Sequence, residues 1–287
     1  MDGFVNVLKA PGMTSSNVVC DVRRIFSEKH AGHLGTLDPG AAGVLPVALG
    51  RAAKLFDLLV DKEKTYLFEI TFGVATDTLD SYGRVTERQD CDVKQADILP
   101  VLPDFLGRQL QRAPAYSALK VDGKKLYDLA RAGEEIPDRL REIFVRELKL
   151  LEQTGKNRFL FSMTCSRGTY VRVIAEDMGR RLSLPACVTL LLREASGPFK
   201  AEQAYSLQEL TERKEAGALQ DVIISCEEAL AFLPEIRLPE DRVRAAMNGL
   251  STDNRREQNG FYRLYGQKFL GLGQVEGGSL RLKVHLY

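Results

Sequence analysis

Residues 30–50 read HAGHLGTLDPGAAGVLPVALG, and they place one carboxylate, Asp38, in a run made mostly of Gly, Ala, Leu and Val. Burying an unpaired carboxylate costs several kcal/mol or forces it to take up a proton. Asp38 is therefore either a wet turn residue or a charge held ionised for use. Pro39 biases Asp38 toward extended backbone, and Asp at the first position of a β-turn is the plain structural reading. The functional reading needs a cation. CSRGTYVRVIAEDMG (165–179) offers Arg172, near the start of a predicted helix. A guanidinium against Asp38 lowers the carboxylate pKa, with help from a nearby helix N-terminus. On spacing alone, a surface ion pair worth about 1 kcal/mol or less explains Arg172 equally well.

Upstream, VNVLKAPGMTSSNVVCDVRRIFSEKH (5–30) reads as a strand, a Pro-Gly turn and a helix. Ser15 or Ser16 is the expected N-cap, and Val18, Val19, Val22, Ile25 and Phe26 recur at helical spacing. Downstream, KTYLFEITFG (64–73) alternates Tyr66, Phe68, Ile70 and Phe72 against Thr65, Leu67, Glu69 and Thr71, the period of a half-buried strand. GTYVRVIAEDMGRRL (168–182) puts Val171, Ile174, Ala175, Met178 and Leu182 on one helical stripe. Strands and helices mix without a βαβ rhythm, so the expected class is α+β. The polar, basic segment 107–141 reads as an insertion or lid more than as sheet. Gly-punctuated apolar runs after Phe261 predict a small β-rich domain. The expected division is 1–230 and 231–287.

With 287 residues, 44% hydrophobic and 28% charged, the composition is that of an ordinary globular protein with a proper core. No leader and no run of some 18 apolar residues is seen, so a cytoplasmic protein without membrane contact is expected. Five cysteines without a C-x-x-C pair, and three histidines, argue against a zinc site and a disulfide scaffold. The net charge of +1 is uninformative, but its distribution is uneven. Val60 to Leu106 holds five basic and ten acidic residues, whereas Gly107 to Lys149 holds ten and seven. Such a local excess suits a phosphate backbone, and equally a solvated helix face.

Single residues stay ambiguous by themselves. Tyr66 and Tyr170 suit a core, His33 a surface turn, and Lys9 before Pro11-Gly12 a solvated turn. Asp77 and Asp80 are explained by Asx-type hydrogen bonding.

Together, GHLGTLDPGAAGVLPVALGRAAKL, KTYLFEITFGVATDTLDSYGRV, RAPAYSALKVDGKKLYDLARAGEEI and CSRGTYVRVIAEDMGRRL, in that order, closely resemble the bacterial TruB family of tRNA pseudouridine-55 synthases. The resemblance runs from about Val5 to Phe199, and the terminal segment resembles that family's PUA-like RNA-binding domain. It implies a pseudouridine synthase fold, a large mixed and mainly antiparallel sheet flanked by helices. It implies Asp38 as the catalytic carboxylate, Arg172 as its partner, Tyr66 stacking on the target uracil and Tyr170 assisting at C5. His33 would help capture the flipped base and Leu191 would wall the pocket. Lys9 is counted on the substrate side, although Lys9-Ala10-Pro11-Gly12 departs from the usual Lys-Pro-x-Gly. Lys120, Lys124 and Lys125 of the insertion are expected on tRNA phosphates, with Arg242, Arg244, Arg255 and Arg256 as a second basic surface. The implied partner is the T-arm stem-loop of tRNA, met by a monomer without cofactor, metal or obligatory protein partner. The alternatives are the catalytic subunit of a guide-RNA particle, an RNA chaperone without chemistry, and a hydrolase built on Asp38 and Asp80.

Overall fold

The computed structural model describes residues 1–117, 120–121, 124–125 and 139–286. Ten strands share one sheet. In chain order they are β1 (Gly3–Lys9), β2 (Ala31–His33), β3 (Ala42–Leu49), β4 (Lys64–Phe72), β5 (Gly107–Arg112), β6 (Leu140–Gly155), β7 (Arg158–Cys165) and β8 (Ala186–Ser196), with short pieces at Phe199–Lys200 and Ile223–Ile224. The lateral order is Ile223–Ile224, β1, β3, β8, β4, β7, β6, β5, with β2 added to β3 and Phe199–Lys200 to β8. Every pairing in this sheet is antiparallel except β8 on β3, where Leu192 lies beside Ala42 and Arg193 beside Gly43. At that junction Gly43 has φ +111°, and a Cβ on it would stand 2.3 Å from the Arg193 carbonyl oxygen. Only glycine lets the two backbones close there.

Period-two patterning puts alternate residues of β1 and β3 on opposite faces. Val5, Val7, Leu45, Val47 and Leu49 meet α1 (Ser15–Phe26) through its expected stripe of Val18, Val19, Val22, Ile25 and Phe26. Full burial of such side chains contributes about 1.5–3 kcal/mol each. Phe4, Val44 and Ala48 face the other way. On the far half of the sheet, Phe68, Ile70, Phe161 and Met163 pack against Val171, Ile174, Ala175 and Met178 of α2 (Val171–Arg181). Tyr66 and Leu191 pack against both clusters and mark the line where the two halves meet.

The cap of α1 differs from expectation. Thr14 is the N-cap, its hydroxyl accepting from the Asn17 N–H at 3.1 Å, while the Asn17 side chain accepts from the Thr14 N–H at 3.3 Å. Ser15 is buried instead and is used elsewhere. The sheet also reaches into the segment read as a lid, because β5 pairs with β6 from Leu140 to Val145. Lys120 and Lys124 lie in a two-stranded ladder with Val121 and Lys125. The side chains of Lys120, Lys124 and Lys125 lie outside those described.

A second sheet follows, built from β9 (Glu235–Arg237), β10 (Thr252–Asp253), β11 (Gly260–Tyr265), β12 (Phe269–Glu276) and β13 (Ser279–His285) in the order β9-β11-β12-β13-β10. Leu272 and Leu286 from this part join Phe4, Val44 and Phe199 in one apolar cluster. The α+β expectation therefore holds, with a β-rich C-terminal part. Among the described residues no helix is long and apolar enough to cross a membrane.

Candidate active site

The segment between β2 and β3 carries Asp38, and four separate anchors hold it. Ser15 Oγ donates to the Leu37 carbonyl and accepts from the Leu37 N–H, both at 2.9 Å. The Gly12 N–H donates to the Pro39 carbonyl at 2.8 Å. Lys9 Nζ donates to the carbonyls of Ala10 (2.9 Å), Pro39 (3.2 Å) and Ala41 (2.6 Å). Arg193 donates to the carbonyls of Val44 (2.8 Å), Thr36 (3.3 Å) and Gly35 (3.1 Å). Within the segment the Ala41 N–H reaches the Asp38 carbonyl at 3.0 Å, so Asp38 does occupy the first position of a β-turn.

The same residue also has its cation. Arg172 Nη2 stands 2.8 Å from Asp38 Oδ2, and the Arg172 side chain is only 4% exposed against 35% for Asp38. Arg172 also donates to the carbonyls of Thr78 (2.8 Å) and Tyr116 (3.0 Å), and its Nε lies 3.9 Å from Asp80 Oδ2. A guanidinium with so many fixed acceptors has one orientation. It engages Asp38 Oδ2 and leaves Oδ1 without a protein donor among the described residues.

Asp38 and Arg172 open into a cavity of about 370 Å³ whose walls include Tyr66, Tyr170 and Leu191. Five of the residues singled out in the sequence thus meet in one place. Tyr170 is held by its backbone: its N–H donates to Gln111 Oε1 at 2.8 Å, and Gln111 Nε2 donates to its carbonyl at 3.1 Å. Arg141 lies 5.9 Å from the Tyr170 ring centroid. Burial pushes the Tyr66 phenol above its ordinary pKa, against the pull of the nearby Arg193 guanidinium, so Tyr66 is a neutral ring at physiological pH.

Two residues stand differently from the sequence reading. Lys9 is no solvated turn lysine. It is 1% exposed, and its ammonium is occupied by carbonyls beneath the Asp38 turn. Burial lowers its pKa to about 8 even with Asp38 pulling upward. It positions the turn and does not face the cleft. His33 pairs with Val47 at the end of β2 and is not among the cleft-lining residues. Its Nδ1 is buried without a partner, and burial, helped by Arg193, keeps the imidazole pKa low.

Sequence reasoning missed Arg193, Arg141 and Arg167 as parts of the site, and set Asp80 beside Asp38 only in the hydrolase alternative. Asp80 does make the expected turn bonds, its Oδ1 accepting from Thr78 Oγ1 (2.7 Å) and the Tyr82 N–H (3.1 Å). Its other oxygen faces Arg172. For Arg193 a signal existed: one arginine after three leucines in a strand that otherwise reads as core.

Comparison with known proteins points to one family. Residues 23–171 match the N-terminal domain of TruB family pseudouridylate synthases, and residues 234–284 match the C-terminal domain of pseudouridine synthase II TruB. The chain is 44% identical over 254 residues to the tRNA pseudouridine synthase B of Pelotomaculum thermopropionicum, an alignment covering 87% of this chain and 80% of that one. It is 40% identical over 287 residues to the tRNA pseudouridine synthase B of Caldanaerobacter subterraneus subsp. tengcongensis, covering 99% and 98%. A chain in a solved Cbf5-Nop10-Gar1 complex is similar in fold, with TM-score 0.77 and 25% identity, covering 99% of this chain and 85% of that one.

Proposed function

From the premise that this chain belongs to the TruB family of pseudouridylate synthases, we propose that it isomerises uridine 55 in the T-arm loop of tRNA to pseudouridine. The observation that carries this reading is the clamp of buried Arg172 on Asp38 at the mouth of a cleft walled by two tyrosines and a leucine. The reaction detaches uracil from its ribose, turns it and rejoins it through C5. Asp38 acts on the sugar through Oδ1, by attack at C1′ or by taking a sugar proton. Arg172 keeps the carboxylate ionised, and a cleft that excludes water strengthens its effect.

A base must leave its stack before it reacts, at a cost of a few kcal/mol. Stacking on Tyr66 and packing against Leu191 offset part of that cost. The Tyr170 hydroxyl serves the proton leaving C5. His33, outside the cleft in the free protein, would come into play when the RNA loop is seated. Arg141 and Arg167 line the rim where phosphates of a bound loop would pass. The division into a catalytic part, 1–230, and an RNA-binding part, 231–287, belongs to the same proposal, as does action in the cytoplasm by a monomer needing no guide RNA or protein partner.

Unmodified tRNA carrying tritium at uridine C5 tests the reading. Purified protein in buffer alone should release label from the T-loop uridine, and Asp38→Asn should lower the rate by about a thousandfold or more. Label retention by wild type with bare tRNA overturns the proposal. Release only on addition of guide RNA favours the particle subunit instead.

A further inference from the structure

The cleft is not the only depression that reaches Asp38. A smaller recess of about 20 Å³ shares Asp38, Arg172 and Leu191 with it and continues over Gly40, Tyr82 and Leu190. The mechanism above uses neither Tyr82 nor Leu190, yet both are large and open to solvent, Tyr82 at 65% exposure and Leu190 at 47%. Such side chains are common singly on a surface, but two lining one recess beside the reactive carboxylate are not explained by packing.

Tyr82 is fixed from below. Its N–H donates to Asp80 Oδ1 at 3.1 Å, the neighbouring Ser81 N–H donates to the Val188 carbonyl at 2.9 Å, and the Gly83 N–H donates to the Asp80 carbonyl at 3.2 Å. The carboxylate that holds this turn is the one whose other oxygen faces Arg172. The ring then lies against Gly40, where an added Cβ would be 2.3 Å from Tyr82 Cε2 and 2.4 Å from Cδ2. Gly40 has no left-handed φ, so it is the ring and not the backbone that requires glycine there.

We infer that Tyr82 and Leu190 form a platform on which a second nucleobase of the substrate RNA, a neighbour of the isomerised uridine, stacks. This rests on the RNA-isomerase reading. Flipping one base out of a loop leaves its neighbours without a stacking partner, and proteins take up such bases on aromatic faces. The recess is too small to enclose a base, so the base lies across it, continuous with the occupied cleft through Asp38, Arg172 and Leu191.

The test uses the full chain and synthetic T-arm hairpins, intact or with an abasic nucleotide at each position flanking the target uridine. Tritium release gives KM and kcat, and filter binding gives Kd. Tyr82→Ala should raise KM and Kd about tenfold, and Tyr82→Phe should restore both. One of the abasic hairpins should cost wild type the same tenfold and cost Tyr82→Ala nothing further. The platform is overturned if Tyr82→Ala leaves Kd unchanged, or if its loss adds in full to that of every abasic hairpin. Bound hairpin without label release by wild type would count against the isomerase reading alone, because the binding arm still decides the platform. Failure of wild type to bind the hairpin overturns both.

Discussion

Arginine is used in two opposite ways in the two parts of this chain. In the cleft, Arg172 and Arg193 are buried and reach acceptors far away in sequence, from Gly35 and Thr36 to Tyr116. In the C-terminal part, Arg237 of β9, Arg242 of the helix Glu240–Met247 and Arg255 of a loop pair with Glu235, Asp241 and Asp253, one or two residues away, with every one of these side chains exposed. A buried guanidinium has lost its hydration, so each donor must find a fixed acceptor, and the chain around it is set as a consequence. A solvated one keeps its water, gains little from its carboxylate, and stays free to exchange it for a phosphate. The cleft arginines serve geometry, these three surface arginines adjustable attraction.

The largest effect should come from breaking geometry while keeping charge. Arg172→Lys retains a cation but has no planar fork to serve Asp38, Asp80 and the Thr78 and Tyr116 carbonyls together. Single-turnover tritium release should fall about a hundredfold, with far less change in tRNA affinity. A loss below threefold would mean that charge alone suffices in the cleft, and the contrast with the solvated arginines would disappear. Next is Arg193→Met, which takes the guanidinium donors from the carbonyls of Gly35 and Thr36 in the Asp38 segment and of Val44 in β3. Urea unfolding should show a loss of about 2 kcal/mol, since an unsatisfied buried acceptor costs roughly 1–3 kcal/mol and relief of a desolvated charge returns part of it.

What the sequence made legible follows from the same distinction. Both helical stripes and strand 64–72 could be read because burial imposes a period on apolar residues, and those residues are buried where the period puts them, apart from half-buried Tyr66 and Leu182. Edge strand β5 could not. Its sequence GRQLQR has only Gln111 well buried, so no alternation announces it. The pairing of Asp38 with Arg172 was open on spacing and became definite only through family motifs. Lys9 and Arg193 stayed hidden because their partners are backbone carbonyls, which every residue carries and no motif records. Asp80 was read correctly as a turn former and still underestimated, since one carboxylate can hold a turn with one oxygen and face a guanidinium with the other.

Lys9 sharpens the comparison through pH. Its pKa is lowered to about 8 by burial, against an ordinary value of 10.5. Between those values the unfolded chain binds more protons than the native one, so the contribution of Lys9 to stability rises with pH across that window. Catalysis should move the other way. A neutral amine has two hydrogens for the three carbonyls it now holds, and the Asp38 turn loosens. We expect kcat to decline severalfold above about pH 8 with no parallel loss of stability. Lys9→Met should lower kcat about tenfold at neutral pH and flatten this limb. Lys64, also lowered to about 8 by burial but lining the cleft instead of holding the Asp38 turn, is the control: Lys64→Met should keep the limb.

The smallest effects belong to the solvated arginines. Arg242→Gln and Arg255→Gln each remove a charge that is answered by a nearby aspartate in water, so thermal unfolding should be nearly unchanged. If those side chains meet tRNA, each substitution should weaken binding about two- to threefold at moderate salt. The slope of log K against log salt should become shallower by just under one per lost phosphate contact. Arg172→Lys should leave that slope where it was, because its guanidinium is committed inside the protein. The two measurements fail together only if the division between buried and solvated arginines is wrong. A salt slope altered by Arg172→Lys, with none altered by Arg242→Gln or Arg255→Gln, would invert the assignment and place the exchangeable charge in the cleft.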